Sequence, residues 1–350
     1  MKQTSIFALL GAICVLGGTA NAAKPSTACD RECLRGKVSD LLYALVKHDV
    51  SKLQVAPTLR VTEDAVVKPL AEVGLVKSVT GLAGFRQDII DERAGVAGAH
   101  VMVKEGDASV MLVARVKVVN NALTEVELVA SRGGGMGGGA PRPAGAGPGP
   151  GAGLGPGPGA GPGPAAANGA GPPRAPGGGF GGGPNHLAAP SEALSYAPRP
   201  EQLNSRTDMI KIAMKYPEGL GTAKNFAAVN APFSADAYRF ENGMQTAGPD
   251  CTLNATCKDI TTQSLQVFER LGHPITRVVA VDERMGIVWL RMAWGVQKEG
   301  GDQLCVWETF KIYDGKIHAV EAFMRTFPIE LRTGGWEQDK SVSTIAPPWG

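Results

Sequence analysis

The chain has 350 residues, with 35 Lys and Arg against 33 Asp and Glu and a formal charge of +2. That is enough length for two ordinary domains, and with charge nearly balanced no strongly basic stripe stands out, which makes nucleic acid a poor partner. The 47 Gly and 25 Pro exceed average usage and are gathered in one stretch.

The chain opens MKQTSIFALLGAICVLGGTANAAKP. Lys2 supplies a positive start, Ile6 to Leu16 is an apolar run too short to span a bilayer, and Ala20-Asn21-Ala22 offers small residues at cleavage spacing. This predicts a signal peptide over residues 1–23 and an exported, periplasmic or extracellular protein with no membrane segment after cleavage. Export permits disulfides. Cys14 leaves with the signal, and an odd set of Cys29, Cys33, Cys251, Cys257 and Cys305 remains. Cys251 and Cys257 close a short loop and form the best disulfide candidate. A Cys29–Cys33 bridge would need a non-helical first turn, so the pairing of Cys29, Cys33 and Cys305 stays open. No His stands at ligand spacing, so no metal is expected. No phosphate loop or dinucleotide fingerprint is present, so no cofactor is expected.

Residues 24–132 form a first predicted domain. DRECLRGKVSDLLYALVKHDV places Leu34, Val38, Leu41, Leu42, Leu45 and Val46 at helical spacing. A strand LRVTED, a second helical stretch, the motif DERAGVAG at 91–98 and alternating strands follow, ending in VKVVNNALTEVE at 116–127. Residues 133–200 are a linker rich in Gly, Pro and Ala, a composition that cannot bury a core. Residues 201–335 then repeat the first pattern, and 336–350 are a tail. Ser205 is a helix N-cap candidate, YRFENG replaces LRVTED, DERMGIVW stands at 282–289, and FKIYDGKIHAVE closes the unit at 310–321. Asn-Asn and Asp-Gly both suit a two-residue hairpin turn. The chain is therefore an internal duplication. The doubled DER motif reads as structural, its Gly turning the backbone into a strand and its charges solvating the turn. The predicted class is α+β, each copy a curved antiparallel sheet wrapped around N-terminal helices with an apolar funnel at one end.

The run from Glu308 to Glu321, ETFKIYDGKIHAVE, resembles the closing hairpin of nuclear transport factor 2-like domains. That superfamily includes SnoaL-like polyketide cyclases and ketosteroid isomerase-like proteins. CDRECL, RVTE and ENGMQT are similar to segments of a tandem-domain family of secreted bacterial and fungal proteins without an assigned general function. The resemblance implies two cone-shaped domains but no single activity, since this fold carries isomerases, dehydratases, cyclases, lyases and binding modules. The Tyr and Asp pattern of ketosteroid isomerase is not matched, and none of its roles is carried over.

Chemistry is best sought in the second copy. In LCVWETFKI, Glu308 shares a strand face with Leu304, Val306, Phe310 and Ile312. Burial among apolar neighbours raises a carboxyl pKa, as general acid–base work requires; the alternative is a buried Glu tied to Arg or a backbone amide. The first copy has Ala114 at that position. Arg291 and Tyr238 are the candidate polarising groups. Trp289 and Trp294 are candidate pocket walls, and Arg239, Glu241 and Glu321 candidate rim residues. The face bearing Trp289 and Arg291 can equally be a solvent face or a domain interface, and Glu321, duplicated as Glu127, can be structural. Two functions follow: a cofactor-free isomerase, dehydratase or lyase acting on a small apolar or aromatic molecule, or a non-catalytic binding module in which the two domains pack as a pseudo-dimer.

Overall fold

A computed structural model describes residues 29–132, 187–268, 271–294 and 302–331, together with 334 and 336. The signal segment, most of the Gly/Pro-rich linker and nearly all of the tail lie outside the described residues. Among those described, no helix is long and apolar enough to cross a membrane.

The first half begins with α1 (Arg31–Val46), which buries a stripe of Leu34, Val38, Leu41, Leu42, Ala44 and Leu45. Its N-cap, Asp30, is extended and accepts the Cys33 amide at 2.9 Å. Cys29 therefore stands ahead of the helix and Cys33 in its first turn, and the two form a disulfide. The strands are β1 (Val55–Glu63), β2 (Val66–Val67), β3 (Gly81–Asp91), β4 (Val96–Glu105), β5 (Ala108–Val119) and β6 (Ala122–Ser131), with the short α2 (Leu75–Ser78) before β3. They form one sheet in the order β2-β1-β6-β5-β4-β3. The second half matches this plan. After the short α3 (Glu192–Ser195) come α4 (Arg206–Thr222), β7 (Phe233–Glu241), β8 (Met244–Ala247), β9 (Pro274–Asp282), β10 (Ile287–Trp294), β11 (Asp302–Tyr313) and β12 (Lys316–Pro328). Their order is β8-β7-β12-β11-β10-β9. Ser205 caps α4 by accepting the Asp208 amide.

The class is α+β, as read, but the sheets are mixed rather than antiparallel: β1 runs parallel to β6, and β7 to β12. No tight turn joins these pairs, so hairpin logic does not reach them. Where it does reach, it holds: Asn120, Asn121, Asp314 and Gly315 all have positive φ in their turns. The DER glycines also have positive φ, and an added Cβ would lie 2.7 Å from the Val118 carbonyl oxygen at Gly95 and 2.4 Å from that of Ile312 at Gly286.

The two sheets pack against each other through the faces turned away from their helices. Met111 and Val113 of one meet Trp307 and Phe323 of the other, with a gap too tight for a water molecule. At the rim of this seam the DER motifs do more than solvate turns. Asp91 accepts both Nη atoms of Arg206, at 3.0 and 2.6 Å, and the Val281 amide at 2.9 Å. Asp282 accepts both Nη atoms of Arg31, each at 2.8 Å, and the Ile90 amide at 3.0 Å. Each aspartate thus binds the first helical arginine and the motif-edge strand of the other half. Arg93 pairs with Glu283, and Arg284 with Glu92. Every charged residue of both motifs is engaged across the seam, which corrects the expectation that these charges merely face solvent.

Candidate functional site

The only strongly polar cluster on the helix-bearing face of the second sheet is built, among the described residues, by α4, β7, β8, β11 and the loop after β8. In α4, Met209, Ala213, Tyr216 and Leu220 are buried and follow the three- and four-residue spacing of one helical face. Tyr216 thereby points its ring onto Phe310, edge to face at 4.9 Å. Two residues from Phe310 on the same strand face is Glu308, 2 % exposed and opposite Leu290 of β10. Tyr216 hydrogen-bonds the Glu308 carboxyl. Burial, reinforced by the nearby Glu241 charge, pushes Glu308 up to about 8 against the opposing effects of Arg239 and Tyr216. At neutral pH Glu308 therefore carries a proton. Burial likewise holds the Tyr216 hydroxyl well above its usual range, so it is a neutral phenol.

Arg239 comes from β7 and is 5 % exposed. Its Nη1 donates to the Tyr216 hydroxyl at 3.0 Å, its Nε to Thr246 Oγ1 at 2.8 Å and its Nη2 to Gln263 Oε1 at 2.9 Å. Glu241 lies 3.3 Å from the guanidinium and balances its charge, and against the effect of burial this carboxylate and the Tyr216 contact keep Arg239 protonated. Gln263 completes the network by donating to the Thr246 carbonyl at 2.7 Å. It belongs to the loop that covers this face, where Cys251 and Cys257 form the second disulfide. With Glu308 protonated and Arg239 matched by Glu241, the cluster has no net charge. Leu290, Met292 and Trp294 continue the apolar wall, Trp294 stacking on Phe268 at 5.7 Å. The described residues hold no group of His, Cys, Asp or Glu able to bind a metal.

Glu308, Arg239, Glu241 and Trp294 are thus brought to one face. Four other candidates are not. Trp289 and Arg291 alternate with Leu290 and so point into the seam: the Trp289 indole donates to His100 Nε2 at 3.0 Å, and the Arg291 guanidinium lies 5.2 Å from the Trp307 ring centre. Pleat periodicity, which separated these residues from Leu290, also separates them from Glu308. Tyr238 and Glu321 sit on the seam-side face of the second sheet. Tyr238 accepts the Ala193 amide at 3.2 Å, and Glu321 is buried there with its carboxyl pushed up to about 8 by burial. Its counterpart Glu127 instead holds Arg277 of the other half, at 2.6 Å. Cys305 is a buried free thiol on the seam face.

Tyr216, Thr246 and Gln263 were not singled out from the sequence. A phenol within the apolar stripe of α4 was the available signal for Tyr216. Gln263 lies in an irregular loop with no pattern to read.

The equivalent places in the first half are hydrocarbon. Aligned from the helix caps, from the register of the parallel pairs β1 with β6 and β7 with β12, and from the closing hairpins, Tyr216, Arg239 and Glu308 correspond to Leu41, Val61 and Ala114. All three are buried in the first core. Glu63, the counterpart of Glu241, ties down a backbone turn by accepting the Gly74 and Leu75 amides, each at 2.8 Å.

Residues 202–324 match a family described as a domain of unknown function (DUF8021). The match covers the half that carries the polar cluster. No curated protein matches the chain.

Proposed function

We propose that the second half of the chain is a cofactor-free acid–base site for a small neutral molecule, housed in a nuclear transport factor 2-like cone. The first half is a cone of the same kind that has become a packing partner. The observation that carries this reading is the replacement of three buried hydrocarbon positions, Leu41, Val61 and Ala114, by Tyr216, Arg239 and Glu308. Buried polar groups are costly where packing alone would serve, and here three of them converge on one spot.

Glu308 acts as the proton donor. It protonates a substrate oxygen while Tyr216 and Arg239 hold the developing carboxylate, and the carboxylate then recovers a proton from carbon. Isomerisation, dehydration and lyase cleavage all use such a step. A charge-balanced site with aromatic and aliphatic walls suits a neutral carbonyl or hydroxyl compound. The signal segment and the two disulfides support export. The loop carrying Gln263 covers the cluster, so a ligand enters by displacing it.

The test is a thermal-shift screen of mature protein and its Glu308→Gln variant against hydroxylated, carbonyl and aromatic compounds. Ligand at a hundred times its dissociation constant raises stability by about 2.7 kcal/mol. A coherent set of hits altered in the variant supports the site. A second reading, a non-catalytic interaction module, draws on the near-complete burial of Glu308 and Tyr216; a broad panel with no hits favours it.

A further inference from the structure

The seam between the halves contains a pairing code that stands independently of the acid–base reading. The DER contacts are self-complementary. Each motif aspartate binds the first helical arginine of the other half, Arg206 for Asp91 and Arg31 for Asp282. Nothing in them distinguishes one half from the other, so on these contacts alone two second halves from different chains would pair as well as the two halves of one chain.

The centre of the seam is different. Gly98 and Trp289 are equivalent residues, each seven positions after its motif aspartate (91 to 98, 282 to 289). They also meet each other: a Cβ on Gly98 would lie 2.4 Å from the Trp289 ring. Equivalent residues in mutual contact mark the position of the approximate two-fold axis. A pair of second halves would bring two indoles to the space of one, and a pair of first halves would leave that space unfilled. The neighbouring equivalents differ in the same way. His100 accepts the Trp289 indole N–H, whereas the second half has Arg291 at that position. Glu127 accepts Arg277, whereas Glu321 has no such partner across the seam among the described contacts.

We infer that Trp289 and Gly98 form a knob and socket that restricts the sheet face of each half to one partner, the unlike half of this chain, while the DER clasps provide the attraction. Like-with-like association is disfavoured by shape and by loss of the His100 and Glu127 contacts, a repulsive element of the kind that specificity commonly needs.

The test uses the full chain with a protease site placed within residues 133–186. The protein is folded, cut, dissociated in urea, diluted and weighed by native mass spectrometry at micromolar concentration. A one-to-one complex of unlike halves is expected to be the only assembled species. Homodimers of the second half, or separated halves, overturn the inference. In the cut Trp289→Gly variant, second-half homodimers are expected beside the unlike pair, because the obstacle is gone and the Arg206 and Asp282 clasps remain. A mixture that stays strictly one-to-one removes Trp289 as the determinant. In the cut Arg206→Ala variant, which keeps the knob, association should weaken by about 30-fold or more, as for loss of one partner of a buried charge pair. Arg199→Ala, whose partner Glu201 is exposed, should leave it unchanged. Equal effects of these two variants also overturn the inference.

Discussion

Glu308→Gln should make the protein more stable, by an amount that depends on pH. The carboxyl is buried and its pKa rises from 4.5 to about 8 on folding. Below pH 4.5 the group is protonated in both states, and the folded protein suffers no ionisation penalty. As pH rises from 4.5 towards 8, the unfolded chain releases the proton while the folded chain retains it, so the wild type loses stability through that window. At about 1.4 kcal/mol for each pH unit, the loss approaches about 5 kcal/mol by pH 8. Relaxation and water entry lower the realised value to about 2–5 kcal/mol. Glutamine has nearly the same shape, keeps a hydrogen bond to Tyr216 and has no proton to release. The assay is urea unfolding of both proteins at pH 4.5, 6 and 8, with Glu321 present in both so that its own titration cancels. The two should coincide within about 1 kcal/mol at pH 4.5, since only hydrogen-bond detail differs there, and separate progressively above it. A gap that does not change with pH, or a variant less stable than wild type at pH 8, would refute the account of Glu308 as a buried protonated acid.

Four further outcomes follow from the same structure. His100 is buried with its pKa depressed from 6.5 to about 3, so its share of stability is present above 6.5 and lost as pH falls through that window; wild-type stability should decline towards pH 3, and His100→Gln should flatten the decline. Asp282→Ala leaves the part-buried Arg31 without its carboxylate and two backbone amides without their acceptor, and should cost about 3 kcal/mol or more in chemical unfolding; Asp91→Ala should cost less, because Arg206 keeps Glu283 at 3.2 Å. Replacing Cys251 and Cys257 by Ser opens a short loop and should cost about 2 kcal/mol, read as a lower thermal midpoint. Ala114→Glu puts a carboxyl into a purely apolar core without a Tyr216 or Arg239 equivalent; it should destabilise by several kcal/mol at pH 8, on the order of the desolvation cost of an unpaired charge, and noticeably less at pH 4.5, measured by the same urea titration.

Much of the frame was legible because it rests on local rules. The stripe of α1, the caps Asp30 and Ser205, the Asn-Asn and Asp-Gly turns and the strand face of Glu308 each depend on residues close in sequence. The parallel pairing of β1 with β6 was not legible, since the two strands are joined by the whole intervening meander. The DER charges were misjudged for a related reason. A charged turn reads as solvated unless its partner is known, and Arg206 lies 115 residues from Asp91. Within the site, pleat alternation correctly gathered Glu308 with its apolar neighbours and offered Trp289 and Arg291 a seam as one of two environments. It could not supply Gln263, which reaches Arg239 from an irregular loop.

The second half holds two buried carboxyls and Lys311, whose ammonium donates to the Tyr196 and Met285 carbonyls, and this placement has a physical consequence. Glu308 and Glu321, each raised to about 8, and Lys311, lowered to about 8, all ionise less readily in the folded state than in the unfolded chain. All three therefore subtract from stability at neutral pH. The first half has hydrocarbon at Leu41, Val61 and Ala114, and its seam carboxylate Glu127 is paired. Its core contributes burial without that ionisation penalty. The seam then makes this surplus available to the second half, because the buried Asp91 and Asp282 each bind an arginine of the other half. A single copy with Tyr216, Arg239 and Glu308 in its core would bear the whole penalty within one small domain, where total stability is only about 5–15 kcal/mol. Two copies remove that constraint: one keeps the packing, and the other is free to bury ionisable groups where packing alone would have placed Leu, Val and Ala.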